Sequence, residues 1–176
     1  MADAASLTDA VLVIYAHNRP GVLAKIASLF YRRALNIRTL TVGSTHEAEL
    51  SKIVVRVGGT WEPLERVAAA IGNLVDVLSV ELSELAARRA HELCLVRVAA
   101  PDQCARAAVL AAAEPFATAL VEDAGGSIVL EITGAPASID LLIDTLASFS
   151  VLDVSRTGVT AMPGESAPGL RGATPG

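Results

Sequence analysis

Residues 10–30 read AVLVIYAHNRPGVLAKIASLF, and the way this run divides decides the fold. Residues 10–16 are a short, continuous apolar segment rich in β-branched side chains, too short for a buried helix and suited to a central strand. From Val22 the spacing changes: Val22, Leu23, Ile26, Leu29 and Phe30 recur at the period of one helical face, while Lys25, Arg32 and Arg33 fall largely off it. Between strand and helix stand Asn18, Arg19, Pro20 and Gly21. Proline just inside a helix start fixes φ where no donor is lost, Asn18 can act as a cap or a contact, and Gly21 removes a side chain where free N–H groups point outward. A helix start of this kind suits a carboxylate or phosphate. The same residues also make a good plain strand-to-helix turn, and at this point both readings stand.

Beyond the helix, residues 36–44 (NIRTLTVGS) and 50–58 (LSKIVVRVG) are β-rich and separated by THEAE, a loop of hairpin length, so they are expected to pair antiparallel. Pro63 falls in the opening turn of a second helix, whose buried face is marked by Leu64, Val67, Ala68 and Ile71, with Gly72 near its end. Trp61 precedes this helix and is expected to staple its start. Residues 77–82 supply a closing strand. The order then starts again: strand 93–98, alanine-rich helix 102–113, strand pair 116–122 and 127–133 around a Gly-Gly turn, helix 137–147, and a final strand 151–160. In that last helix Ile139, Leu142, Ile143 and Leu146 share one face.

The expected fold is therefore α+β: two consecutive ferredoxin-like βαββαβ units, with antiparallel sheets and helices on one face. The expected division is an extension over 1–9, a first domain over 10–83, a linker over 84–90, a second domain over 91–162 and a disordered Pro/Gly-rich tail over 163–176. The repeat is one of architecture, since PDQCARA stands in the second half where NRPGVLA stands in the first.

A net charge of −5 and the lack of a basic cluster interleaved with aromatics argue against a nucleic-acid partner. No apolar run approaches the ~20 residues that span a bilayer, and the acidic opening lacks the basic start of a secretory signal. A cytoplasmic protein with no membrane partner is expected. The two cysteines, Cys94 and Cys104, read as packed thiols, and His17, His46 and His91 are too scattered to suggest a metal. Arg156 is expected on a solvated face or an edge. No nucleophile has a base at readable spacing and no carboxylate pair is placed for acid–base work, so no catalytic residue is assigned. Acylphosphatases share the strand order and hold phosphate at the first strand-to-helix loop with an arginine. Their loop sequence is absent here, which leaves a small hydrolase as a remote alternative.

Residues 18–43, NRPGVLAKIASLFYRRALNIRTLTVG, resemble the N-terminal ACT domain of the small regulatory subunit of acetolactate synthase (acetohydroxyacid synthase). Asn18, Gly21, Leu23, Leu29, Phe30, Arg33, Asn36, Ile37, Leu40 and Val42 fit the family pattern in register. The likeness continues through LSKIVVRV, LVDVLSVELSE and ELCLVRV to FSVLDVSRTGVTAM, with its Arg-Thr-Gly. Ala34 replaces a usual glycine, Leu35 a usual aromatic, and Arg38 stands where an acid is common.

The resemblance implies a non-catalytic ACT-domain homodimer. Such a subunit binds and activates the thiamine-diphosphate-dependent large subunit of branched-chain amino-acid biosynthesis, and confers valine feedback inhibition. Carried over, Asn18, Gly21, Val22 and Leu23 of one chain and Asn36 and Ile37 of the other would contact valine. The chain itself would hold no cofactor or metal; thiamine diphosphate, Mg and FAD would sit on the large subunit. The second half, with Pro101, Asp102 and Gln103 at the matching corner, is expected to hold no amino acid. A stand-alone ACT-type sensor serving another enzyme is the alternative.

Overall fold

The computed structural model describes residues 7–87 and 89–162. They form two compact units, one running to Arg89 and resuming at Val159, the other Ala90–Gly158. The expected tail over 163–176 and most of the extension over 1–9 lie outside the described residues.

In the first unit the elements are β1 (Thr8–His17), α1 (Val22–Tyr31), β2 (Ile37–Ser44), β3 (Leu50–Gly59), α2 (Trp61–Gly72) and β4 (Val77–Glu84). The sheet order is β2-β3-β1-β4 and each neighbouring pair is antiparallel. Side chains alternate along each strand. Leu12 and Ile14 of β1, with Ile53 and Val55 of β3, therefore face Ile26 and Phe30 of α1 and Leu64 and Val67 of α2 in one buried core. The apolar run that marked β1 as central is explained by its place between β3 and β4, and both its faces are closed: Val11 and Val13, which point away from the helices, are as buried as Leu12 and Ile14. β2 and β4 are the edges.

Helix α1 ends in a Schellman turn. The amide of Leu35 donates to the Phe30 carbonyl at 3.1 Å and that of Ala34 to the Tyr31 carbonyl at 3.0 Å, with Ala34 at φ 52°. Leu35 then folds onto the core, the apolar contact such a turn prefers.

The second unit repeats the plan: β5 (Ala90–Ala99), α3 (Gln103–Ala113), β6 (Ala119–Ala124), β7 (Ser127–Gly134), α4 (Pro136–Leu146) and β8 (Val151–Arg156), with sheet order β6-β7-β5-β8. Its own core gathers Cys94, Val96, Val109, Leu130, Leu142 and Leu146. Gly125 and Gly126, both at positive φ, make the tight β6–β7 turn.

Three expectations are corrected and one is sharpened. The strand expected at Phe116 begins at Ala119, because Pro115 continues the helix into a short 3-10 turn that anchors Phe116 on the core. Trp61 is the first residue of α2, and its indole N–H donates to Glu65 Oε1 at 2.9 Å across one helical turn. Arg156 ends the edge strand β8, as one of its two expected placements had it, but its side chain is turned to ion pairs: it bonds to Glu92, whose side chain is fully buried, and to Asp140 at 2.5 Å. The final strand stops at Arg156, and a separate short strand, β9 (Thr160–Ala161), follows and pairs with β5. There the Val159 amide meets Thr39 Oγ1 at 3.4 Å and Lys52 Nζ meets Met162 Sδ at 3.3 Å.

Candidate functional site

The corner that follows β1 is built from the backbone first. Gly21 sits at φ +87°, just ahead of the first helical residue Val22, and a Cβ built there would meet nothing within 4 Å. Glycine is thus required by the left-handed conformation, not by crowding. Pro20 consequently precedes the cap and is not inside the helix, as the sequence suggested. No side chain caps α1 and its first turn holds no acid. The Lys25 amide bonds to the Gly21 carbonyl at 3.0 Å and the Val22 amide reaches the Arg19 carbonyl at 3.4 Å, whereas those of Leu23 and Ala24 find no acceptor among the described residues. A carboxylate can accept from such donors and is favoured by the helix dipole.

Two segments brace this corner. The His17 amide donates to the Asp76 carbonyl at 2.8 Å, on the α2–β4 connection. Asp76 in turn holds Lys25 at 2.9 Å and Arg19 at 3.6 Å, and its side chain is largely covered. The hydrogen bond from Lys25 pulls the Asp76 carboxyl below its ordinary value against the opposing effect of burial, with help from the charges of Lys25 and Arg19. Asn18, expected as a cap or a ligand contact, ties the corner to the β2–β3 loop: its amide donates to Glu49 O at 2.7 Å and its Nδ2 to Ala48 O at 3.3 Å. That geometry leaves the side-chain Oδ1 as the acceptor available to an ammonium group.

The expected ligand residues do not behave alike. The Val22 side chain is buried in the core, so only its backbone belongs to the corner, while Leu23 is 39% exposed and can form an apolar wall. Asn36 and Ile37 lie elsewhere. β2 runs in the same direction as β1, and Ile37 pairs with Val57, which pairs with Ala10 near the start of β1. The corner is at the opposite end of that strand, and the ten-residue α1 between them spans ~15 Å. One chain does not bring Asn18 and Asn36 together.

Arg38, an unusual residue beside Asn36, is matched by Asp9 at 3.2 Å, which also binds Arg56 at 2.7 Å. Asp76 escaped sequence reading because its partner Lys25 is 51 residues away and no spacing links them. In the second unit the equivalent helix start is closed: Asp102 caps α3 by accepting from the Ala105 amide at 2.8 Å. An internal carboxylate thus occupies the place that α1 leaves open. Among the described residues no group of three or more His, Cys, Asp or Glu side chains is placed to hold a metal ion.

Both halves of the chain match known families. Residues 12–79 match the AHAS small subunit-like ACT domain and residues 91–165 match the small subunit of acetolactate synthase. A probable acetolactate synthase small subunit of Archaeoglobus fulgidus is 36% identical over 156 residues, covering 88% of this chain and 94% of that protein. The chain belongs to the acetolactate synthase small-subunit family. The Mycolicibacterium smegmatis acetolactate synthase small subunit is 29% identical over 86% of this chain and 88% of its own length. The crystal structure of the Thermotoga maritima small subunit, at 29% identity, superposes with a TM-score of 0.76 over 88% of this chain and 96% of that one.

As a small subunit the protein is the regulatory, non-catalytic component, and a large catalytic subunit is its partner. Because the match runs through both halves and not the ACT half alone, the small subunit is set apart from the stand-alone sensor and from the hydrolase. None of its described helices is long and apolar enough to cross a membrane.

Proposed function

We propose that this small subunit activates its thiamine-diphosphate-dependent large subunit and makes it sensitive to valine, which binds at the α1 corner of an ACT homodimer. Mg and FAD belong to the large subunit in this reading. The observation that carries the proposal is the contrast between two equivalent helix starts: α1 has a left-handed glycine and unpaired first-turn amides, while α3 is closed by Asp102. Valine's carboxylate is received by the amides after Gly21, and its ammonium by Asn18 Oδ1. Leu23 supplies the apolar wall.

The position of the remaining residues supports the dimer. β2 is an edge strand whose helix-side residues Leu40 and Val42 are 36% and 47% exposed. Pairing β2 antiparallel with its copy about a two-fold axis covers that edge. The same operation brings the start of one β2, with Asn36 and Ile37, toward the far end of the other chain, where Asn18, Gly21, Val22 and Leu23 sit.

The test is calorimetric titration of the full chain with valine, with leucine and serine as controls, followed by assay of the reconstituted holoenzyme. Gly21→Asp puts a carboxylate where the ligand's would bind, in space that a Cβ does not contest. It is expected to lose valine heat and valine inhibition while still activating the large subunit. Gly21→Ala separates strain from charge and is expected to weaken binding without abolishing it. Full inhibition retained in Gly21→Asp would move the site elsewhere.

A further inference from the structure

The corner carries more positive charge than a single carboxylate needs. Arg19 and Lys25 both stand at it, next to the positive end of α1, and Lys25 lies in the first turn, where a cation is disfavoured by the helix dipole. Their shared counter-charge is Asp76, 2.9 Å from Lys25 and 3.6 Å from Arg19, with only 13% of its side chain exposed. The three side chains leave one net positive charge beside the open amides, and without Asp76 they would leave two.

That difference bears on selectivity. Valine is a zwitterion with no net charge, and its ammonium must lie within a few ångströms of its carboxylate. The 2-oxo acid of the same carbon skeleton keeps the carboxylate and the branched side chain but replaces the ammonium by a neutral carbonyl, so it arrives as a net anion. Hydrogen bonds from backbone amides and an apolar wall do not separate the two. Asn18 Oδ1, the acceptor for the ammonium, favours valine in every variant alike, and the local charge adjusts that preference: each unbalanced positive charge attracts the anion and repels the ammonium.

We infer that Asp76 sets the corner's preference for an α-amino acid over the 2-oxo acid of the same skeleton, acting as a positioning residue through Lys25 and Arg19. This rests on the corner being the valine site. Asp76 also holds His17, but through its backbone carbonyl, so a side-chain amide preserves that brace. Glu49, on the β2–β3 loop that Asn18 grips, is unchanged in every variant and cancels from any ratio between ligands.

The experiment is titration of the full chain with valine and with 3-methyl-2-oxobutanoate, reading the ratio of the two dissociation constants. Asp76→Asn is expected to shift that ratio about tenfold toward the oxo acid. Lys25→Gln is expected to shift it the other way, and Asp76→Glu to restore the wild-type value. Equal weakening of both ligands in Asp76→Asn would mean a merely structural role and would overturn the inference while leaving the valine site in place. A wild-type chain that binds neither ligand would overturn the site and the inference together.

Discussion

At the scale of single residues, Ala34 is a place where this chain departs from its family's habit at a measurable cost. It holds the left-handed position of the Schellman turn at φ 52°, where a side chain costs ~1–2 kcal/mol and glycine nothing. Ala34→Gly should therefore stabilise the first unit by about 0.5–1 kcal/mol, once the greater freedom of unfolded glycine is subtracted. Trp61 is the sole tryptophan and sits on α2, so urea unfolding followed by its fluorescence reads this unit directly. Acid provides a second test. Asp76 and Glu122 have carboxyls held below their ordinary values of 3.8 and 4.5, the first chiefly by the Lys25 hydrogen bond, the second chiefly by that of Arg97. A depressed carboxyl stabilises the fold above its unfolded value and loses that contribution as pH falls through the folded one. Stability should thus drop below about pH 4, and Asp76→Asn should flatten the part of the slope seen by Trp61. Sequence marked Gly21 at a helix start but left it open between a ligand site and a plain turn, and it misplaced Pro20 by putting it inside the helix. Cap geometry is a matter of one residue, and hydrophobic period does not resolve one residue.

At the scale of elements, the strand and helix pattern was readable because burial imposes periods of two and 3.6 wherever one face is covered. It failed where chemistry is non-periodic. The 3-10 turn at Glu114–Phe116 delays β6, and the ion pairs of Arg156 went unseen because its partners, Glu92 on β5 and Asp140 on α4, are 64 and 16 residues distant. Burial alone would lower the Arg156 guanidinium, but its hydrogen bonds to Glu92 and Asp140 outweigh it and raise the group well above its ordinary value. These contacts link β5, β8 and α4 of the second unit. Arg156→Met should cost about 3–5 kcal/mol, since it strands the buried Glu92 charge. Adding Glu92→Leu should recover most of that loss, because the pair's attraction is largely cancelled by its desolvation. Thermal unfolding followed by circular dichroism compares the single and double variants.

At the scale of the whole molecule, the association proposed through β2 can be separated from folding. Val42→Lys places a charge on the exposed helix side of the edge strand. It is expected to give monomers by sedimentation and, because Asn36 would no longer reach a neighbour's corner, to lose valine heat while Trp61 fluorescence stays native. The Asp76 brace could not be read from the sequence, since it joins residues that the chain keeps far apart, and the homodimer was expected there only through the family resemblance. The return of residues 159–162 to the first unit, marked by the Thr39 and Lys52 contacts, has a temporal meaning. Synthesis proceeds from the N-terminus, so the first unit emerges early but cannot receive the contacts of Val159 and Met162 until all of Ala90–Gly158 has been translated. A nascent chain stalled before residue 159 would therefore carry the first unit without the contacts that Thr39 and Lys52 make to Val159 and Met162.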